Sequence, residues 1–317
     1  MRPEMTITDT PTRSAPADAR RRRTSFWRRN GAAYILAGPF YLLFLLMLVV
    51  PLGYAGYLSA FTDPLVGGIE FVGFGNFVRA LTDPLFLGGV GRMFWFLVIQ
   101  VPIMLALSLF CALALDSGRL RFPRFARLMI FVPYAVPGVV AALMWGYLYG
   151  PEFGPLAQIS KFFGAPVIPF LSGDLMLYSI MNIVTWGYVG YNMIVMYSAL
   201  TAIPAELYEA AKMDGASQWR IAWSIKIPSI RPAILITVIF SVIGTFQLFN
   251  EPNLLRTIAP NVIGSSYTPN LYAYDLAFVS QDVNYAAAVA FLLGIVTMAI
   301  SAVTQLRSRR NTKEAAE

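Results

Sequence analysis

The chain contains no histidine and a single cysteine, Cys111. Without histidine, the commonest general base, proton relay and metal ligand is missing. One cysteine excludes an intrachain disulfide, and no Cys/His cluster is available to hold zinc. Cys111 lies in an apolar run and reads as a small buried apolar residue. Charge is scarce as well: Asp, Glu, Lys and Arg make up 13% of the 317 residues, against about 25% in an average soluble domain. No Gly-Lys dipeptide occurs anywhere, so the chain lacks the GxxxxGK[ST] loop that cradles nucleotide phosphates. No catalytic residue, resident cofactor or metal site is expected.

What the chain has in abundance is apolar sequence: 57% of its residues are hydrophobic. The apolar runs are continuous and not alternating, which selects membrane-spanning helices over barrel strands. The fold class expected is an all-α integral membrane protein. Six spans are predicted, at about 33–60, 90–115, 128–149, 174–200, 232–254 and 284–306, each long enough to cross about 30 Å of hydrocarbon. Residues 1–32 are polar and end in arginines, as in a disordered cytoplasmic tail. The run that follows is too long for a signal-peptide core. Residues 33–306 form the predicted membrane domain, and 307–317 a short cytoplasmic tail.

The net charge of +7 is not a nucleic-acid signal, because the basic residues flank the apolar runs. Of 24 Lys and Arg, eight lie in the N-terminal tail, and four each lie in 116–127, 201–231 and the C-terminal tail. Only Arg79, Arg92, Lys161 and Arg256 fall to the other side. The positive-inside rule then places both termini in the cytoplasm. Prolines 39, 51, 102, 133 and 137 lie within predicted spans and each tends to kink its helix. The outer loops, about 61–89, 150–173 and 255–283, are long enough to hold short surface helices.

The 201–231 segment is the polar exception. Pro204 and Glu206 suit a helix start, Gly215 suits a tight turn, and Ala216–Ile227 forms a second short helix that Pro228 is expected to end. Trp219, Ile221, Trp223 and Ile225 give that helix an apolar surface, while Ala210, Ala211, Gly215, Ala216 and Ser217 permit close approach. Two readings fit: a helix pair docked in a groove of a partner protein, or an amphipathic hairpin lying on lipid.

The spacing decides further. Glu209-Ala210-Ala211, three residues, Gly215, nine residues, then Ile225-x-Ile227-Pro228 resembles the EAA signature of membrane permease subunits of binding-protein-dependent, type I ABC importers. That signature ends in I-x-L-P, so Ile227 is the one departure. Phe71-Val72-Gly73-Phe74-Gly75-Asn76-Phe77 looks like a further element of the carbohydrate-uptake branch, and the resemblance covers about residues 33–306. It implies that 201–231 is a coupling loop seated on a cytoplasmic ATPase. By that resemblance Glu209, Ala210, Ala211, Asp214 and Gly215 form the docking surface, and Ile225 and Pro228 shape the second helix. It also implies partners: a second, homologous permease subunit, two ATP-binding subunits that bind ATP and Mg, and an extracytoplasmic solute-binding protein.

Polar side chains inside membrane spans are costly and tend to be functional. The fifth span carries Gln247, Phe249, Asn250 and Glu251, and the fourth carries Trp186, Tyr191 and Asn192, together with Asn182, Thr185 and Tyr188. Aromatic faces with amides and a carboxylate suit sugar recognition, and Phe249-Asn250 matches a pair that lies near the central cavity of the resembled carbohydrate permeases. Helix–helix hydrogen bonding accounts for the same residues equally well, and the fourth-span aromatics also fit an interfacial belt. The cargo thus expected is a sugar or related solute. An importer of polyamine, phosphate or glycerophosphodiester is the alternative; a stand-alone secondary transporter lacks the usual intramembrane ionisable residues.

Overall fold

The computed structural model describes residues 35–64 and 67–314; the predicted N-terminal tail lies outside them. The chain divides into two compact units, one ending at Ala55 and a second running from Gly56 onward. The first contributes most of α1 (Ile35–Ser59). Within α1, a wider π turn at Leu45–Val49 directly precedes Pro51. Proline lacks the N–H that a regular turn would use, and the loosened turn accommodates it.

The second unit opens with a hairpin of two short strands, β1 (Phe61–Thr62) and β2 (Glu70–Phe71), paired Phe61 to Phe71. Helix α2 (Gly75–Thr82) and the long α3 (Pro84–Asp116) follow. Next come α4 (Pro123–Ala135), α5 (Gly138–Leu148), α6 (Pro155–Phe162) and α7 (Met176–Thr201). Two short helices, α8 (Ala205–Met213) and α9 (Gln218–Ser229), lead into α10 (Arg231–Phe246). The chain closes with α11 (Asn250–Ile258), α12 (Pro269–Phe278) and α13 (Val283–Glu314).

Among the described residues, three helices are long and apolar enough to cross a membrane, α1, α3 and residues 283–303 of α13, and up to five if each of two bent pairs counts as one span. Helix α7 is 26 residues long, about 39 Å at 1.5 Å per residue, but Asn, Thr and Tyr dilute its hydropathy. Three spans differ from expectation. The third is broken: α4 and α5 meet at 95°. Val136 is extended (φ −75°, ψ 125°), as the residue before a proline prefers, and Pro137 caps α5. The fifth stops at Phe246 instead of running to 254. Pro252 would clash with the carbonyl of residue 248 in a continuous helix. In the first turn of a new helix its missing N–H costs nothing. The last helix continues to Glu314, through most of the expected C-terminal tail. By contrast Pro102 sits inside the uninterrupted α3.

Packing runs in three layers. One joins α2, α12 and the start of α13 through Ala80, Tyr272, Tyr285 and Val289. The central layer gathers Met93 and Phe96 of α3, Met176 and Ile180 of α7, Phe246 of α10 and Leu255 of α11. The third joins the ends of α3 and α7 through Leu115, Met193, Met196 and Leu200, with Ile230. Cys111 is only partly buried against this layer, not fully buried as expected. In lipid such packing is held by close van der Waals fit, since the surroundings are as apolar as the core. Gly190 shows how close: a Cβ there would stand 2.1 Å from the Ile130 carbonyl oxygen of α4. Asn76, from the Phe71–Phe77 element, is buried and donates to the carbonyls of Ser59 (3.0 Å) and Phe61 (2.7 Å), pinning the hairpin.

Candidate functional site

The break between α10 and α11 makes a site. With Gln247, Leu248 and Phe249 outside any helix, backbone carbonyls are freed at membrane depth, where an unpaired polar group is costly. Helix α12 answers them: Thr268 Oγ1 donates to the Leu248 carbonyl (3.1 Å) and Asn270 Nδ2 to that of Gln247 (3.2 Å). Beside the break lies a cavity of about 240 Å³ lined from α3, α7, α10 and α11. Gln247, Asn250 and Glu251 sit at its edge. Neither amide hydrogen-bonds within the described residues, and the Glu251 carboxylate accepts from its own backbone N–H. Glu251 opens the first turn of α11, where a helix favours negative charge. Its Oε1 also lies beside Gly138, the first residue of α5, so both broken helices converge there.

The opposite wall comes from α3 and α7. Gln100 Nε2 donates to Thr185 Oγ1 (3.2 Å) and toward Met104 Sδ (3.3 Å). Asn192 Nδ2 donates to the Tyr188 carbonyl (3.2 Å). Tyr191 stacks on Tyr134 of α4 with ring centroids 4.9 Å apart, and Tyr188 meets Tyr134 edge-on at 5.7 Å.

Of the path residues expected from sequence, Tyr191, Asn192, Gln247, Phe249, Asn250 and Glu251 line this one cavity. Trp186 does not; it packs edge-on against Trp145 at 5.8 Å. Tyr188 lines the cavity and is not merely part of a belt. Gln100 was missed. Its signal was plain in retrospect, a glutamine inside the second apolar run, two residues before Pro102.

The 201–231 segment is a second, separate feature. Helix α8 ends at Asp214, and Gly215 follows at φ +75°. The Gly215 N–H bonds the Lys212 carbonyl (3.0 Å) and the Ala216 N–H bonds that of Ala211 (2.9 Å). This is a Schellman closure, and only a residue tolerant of the left-handed region fits its turn. Ser217 Oγ then accepts from the Arg220 N–H (3.3 Å), capping α9. Glu209, Ala210, Asp214 and Gly215 are exposed; Ala211, Ile225 and Pro228 are half-buried. Pro228 does not end the second helix, as expected from sequence. A π turn over Ala222–Lys226 absorbs its missing N–H, and the 66° bend into α10 falls at Ile230. The apolar residues of α9 also divide: Ile221 is buried, whereas Trp219 and Trp223 are exposed and face each other at 5.6 Å.

One charge of this segment is not on the surface. Lys226 is 7% exposed and donates to Asp116, the last residue of α3, at 2.5 Å. Its ammonium sits 5.0 Å from the centroid of the Tyr208 ring of α8. Burial, and then the Asp116 charge, push the Tyr208 hydroxyl above the usual phenol range. The pair ties both short helices to α3.

Residues 104–312 match the family of binding-protein-dependent transport system inner membrane components, and the chain belongs to that family. It is therefore a membrane-embedded transport component and not an enzyme. The lactose transport system permease protein LacF of Rhizobium radiobacter is 33% identical, over 77% of this chain and 83% of that protein. The arabinooligosaccharides transport system permease protein AraP of Bacillus subtilis is 28% identical, over 89% and 90%. In fold, the chain superposes on a chain of a bacterial ABC transporter involved in the import of the acidic polysaccharide alginate (TM-score 0.81, 20% identity, 91% and 99% covered).

Proposed function

We propose that this chain is one permease subunit of an ATP-driven importer and forms half of the path for a sugar. The observation that carries this reading is the cavity at the broken α10–α11 junction. There, amides without hydrogen-bond partners among the described residues, one carboxylate and tyrosine faces meet, a donor and acceptor set suited to hydroxyls. The sugar cargoes of LacF and AraP support it. In this reading α7 is a sixth span whose polar side chains serve the path, and both termini are cytoplasmic.

The 201–231 segment docks on an ATPase supplied in trans. Glu209, Ala210, Asp214 and Gly215 give an exposed, small-residue face for that purpose, and the absent phosphate loop requires the energy to arrive from another chain. A complete machine then needs a second permease subunit, two ATP-binding subunits holding ATP and Mg, and an extracytoplasmic solute-binding protein.

The test is to reconstitute the full complex in proteoliposomes and screen solutes with the binding protein for stimulated ATP hydrolysis. Stimulation by a saccharide is expected. Stimulation only by inorganic ions or amines overturns the sugar reading. Glu209→Lys is expected to lower stimulated hydrolysis about tenfold, the loss of a charged docking contact; unchanged hydrolysis would remove Glu209 from the interface.

A further inference from the structure

Permeases similar to this one serve both neutral and acidic saccharides, and the cavity lining distinguishes the two. We propose that the cavity accepts an uncharged saccharide and that Glu251 is the residue that turns anionic ones away. The inference rests on the sugar-import reading and adds the charge class of the cargo.

Among the described residues no lysine or arginine lines the cavity, and one carboxylate does. The described cations nearest in sequence to its walls are already engaged. Arg92 donates to the carbonyls of Ser266 and Tyr267, and Arg256 pairs with Asp275 at 2.6 Å. A uronate, sulfonate or phosphate entering here would lose hydration without meeting a counter-charge from this half of the path, which is the costly case for a buried ion. It would also face Glu251, which is in no ion pair among the described residues. A built-in repulsion of this kind gives specificity without needing tight binding to the correct solute.

The same lining serves hydroxyls well. Gln247 and Asn250 each offer a donor and an acceptor on one rigid group, and neither side chain hydrogen-bonds among the described residues. A carboxylate accepting from a hydroxyl makes a charge-assisted hydrogen bond, stronger than a neutral one. Glu251 thus favours a neutral sugar and opposes an anionic one through the same oxygen atoms. Tyr188, Tyr191 and Phe249 supply ring faces for the apolar C–H surface of the sugar.

The binding protein imposes its own selection, so the experiment leaves it out. The assembled complex of both permeases and both ATPases, in lipid nanodiscs, is titrated by equilibrium binding with lactose, arabinobiose, digalacturonate, sn-glycerol 3-phosphate, spermidine and phosphate. The expected result is binding of a neutral disaccharide at least about tenfold tighter than of either anionic compound, the discrimination one unscreened charge pair provides. Glu251→Gln should narrow that ratio while weakening the neutral sugar, and Glu251→Lys should invert it. An anionic sugar that binds the unaltered complex as well as a neutral one overturns the inference and leaves the sugar reading intact. So does a ratio that Glu251→Gln does not change. Binding of spermidine or phosphate with no saccharide bound overturns the sugar reading itself, as does no binding at all to a complex that still hydrolyses ATP.

Discussion

Around the cavity, side chains from α3, α7, α10 and α11 meet without any ion pair among the described residues, whereas the 201–231 segment is fastened to the end of α3 by one. The cavity wall is kept by close backbone approach and by neutral hydrogen bonds such as Gln100 to Thr185. Its polar groups at the α10–α11 break stay unpaired and available. In the 201–231 segment the exposed Glu209 and Asp214 carboxylates are likewise in no ion pair among the described residues, but Lys226 is buried and committed to the part-buried Asp116. Neutral contacts suit a surface that must bind and release a solute. A buried charge pair suits a joint that must keep its register while force passes through it.

The largest expected effect strikes the cavity side. Gly190 precedes Tyr191 and Asn192 of the wall, and any Cβ there meets the Ile130 carbonyl oxygen at 2.1 Å and the Phe131 Cα at 2.7 Å. Backbone cannot yield as a flexible side chain does, so Gly190→Ala should cost about 3 kcal/mol or more, read as a fall in the unfolding temperature of the purified protein. Gly187, on the same helix with nothing within 4 Å of its would-be Cβ, is the control, and Gly187→Ala should be nearly silent. Equal effects at both positions would mean that the α4–α7 approach does not hold the wall.

Next in size is the ion pair. Asp116→Asn or Lys226→Met leaves a buried charge without its partner and should cost about 3 kcal/mol. The double variant Asp116→Leu with Lys226→Met should recover most of that stability. If the double variant also restores saccharide-stimulated ATP hydrolysis in the full complex, the pair is only a fastening. If stability returns and stimulation does not, the charge itself belongs to the coupling path.

The contrast also explains what was legible beforehand. The proposed docking face is local: Glu209 to Pro228 lie within twenty residues, so its motif can be read from spacing alone. Gly215 could be assigned a turn from its residue type because few residues adopt φ +75°. The cavity is assembled from residues as distant as Gln100 and Glu251. Sequence marks its members as polar groups in apolar runs but not which of them meet, so Trp186 and Tyr191 look equivalent until packing separates them. The break at Gln247–Phe249 was missed because the apolar run from 232 was carried on to Leu254, although Asn250, Glu251, Pro252 and Asn253 implied an end. The burial of Lys226 has no local signal for a related reason. A lysine in a polar loop reads as a solvated charge, and only the tertiary position of Asp116 makes it a buried one.

A smaller effect probes an anchor near the other end of α3. Asp83 Oδ2 accepts from the hydroxyls of Tyr272 and Tyr285, each at 2.6 Å, and Oδ1 accepts from the Leu85 N–H at 2.9 Å. Burial alone would raise the carboxyl, but these hydrogen bonds, with that of the Phe86 N–H, outweigh it and hold Asp83 below the usual carboxylate range. A depressed folded-state value means the stabilisation is present above the unfolded value, about 3.9, and is lost as pH falls through the folded one. The unfolding-temperature gap between the natural protein and Asp83→Asn should therefore be full at neutral pH and close only in strong acid. A gap independent of pH would show that tyrosine packing, not the charge, does the anchoring.

The smallest effect is the most discriminating for the cavity. Trp186 shares a helix with Tyr188, Tyr191 and Asn192, and sequence alone assigns it to the solute path. Its ring instead packs edge-on against Trp145. Phenylalanine keeps an aromatic edge at that contact, and the whole pair is worth only about 0.5–1.5 kcal/mol beyond its burial. Trp186→Phe should thus leave the saccharide concentration for half-maximal ATPase stimulation within about twofold. Gln247→Ala removes a donor and an acceptor that no other described residue occupies, and a hydroxyl left without its partner costs about 1–3 kcal/mol, so that concentration should rise about tenfold. If the two variants exchange places, the solute passes along the Trp145 side of α7 and the α10–α11 break is a hinge instead of a binding surface.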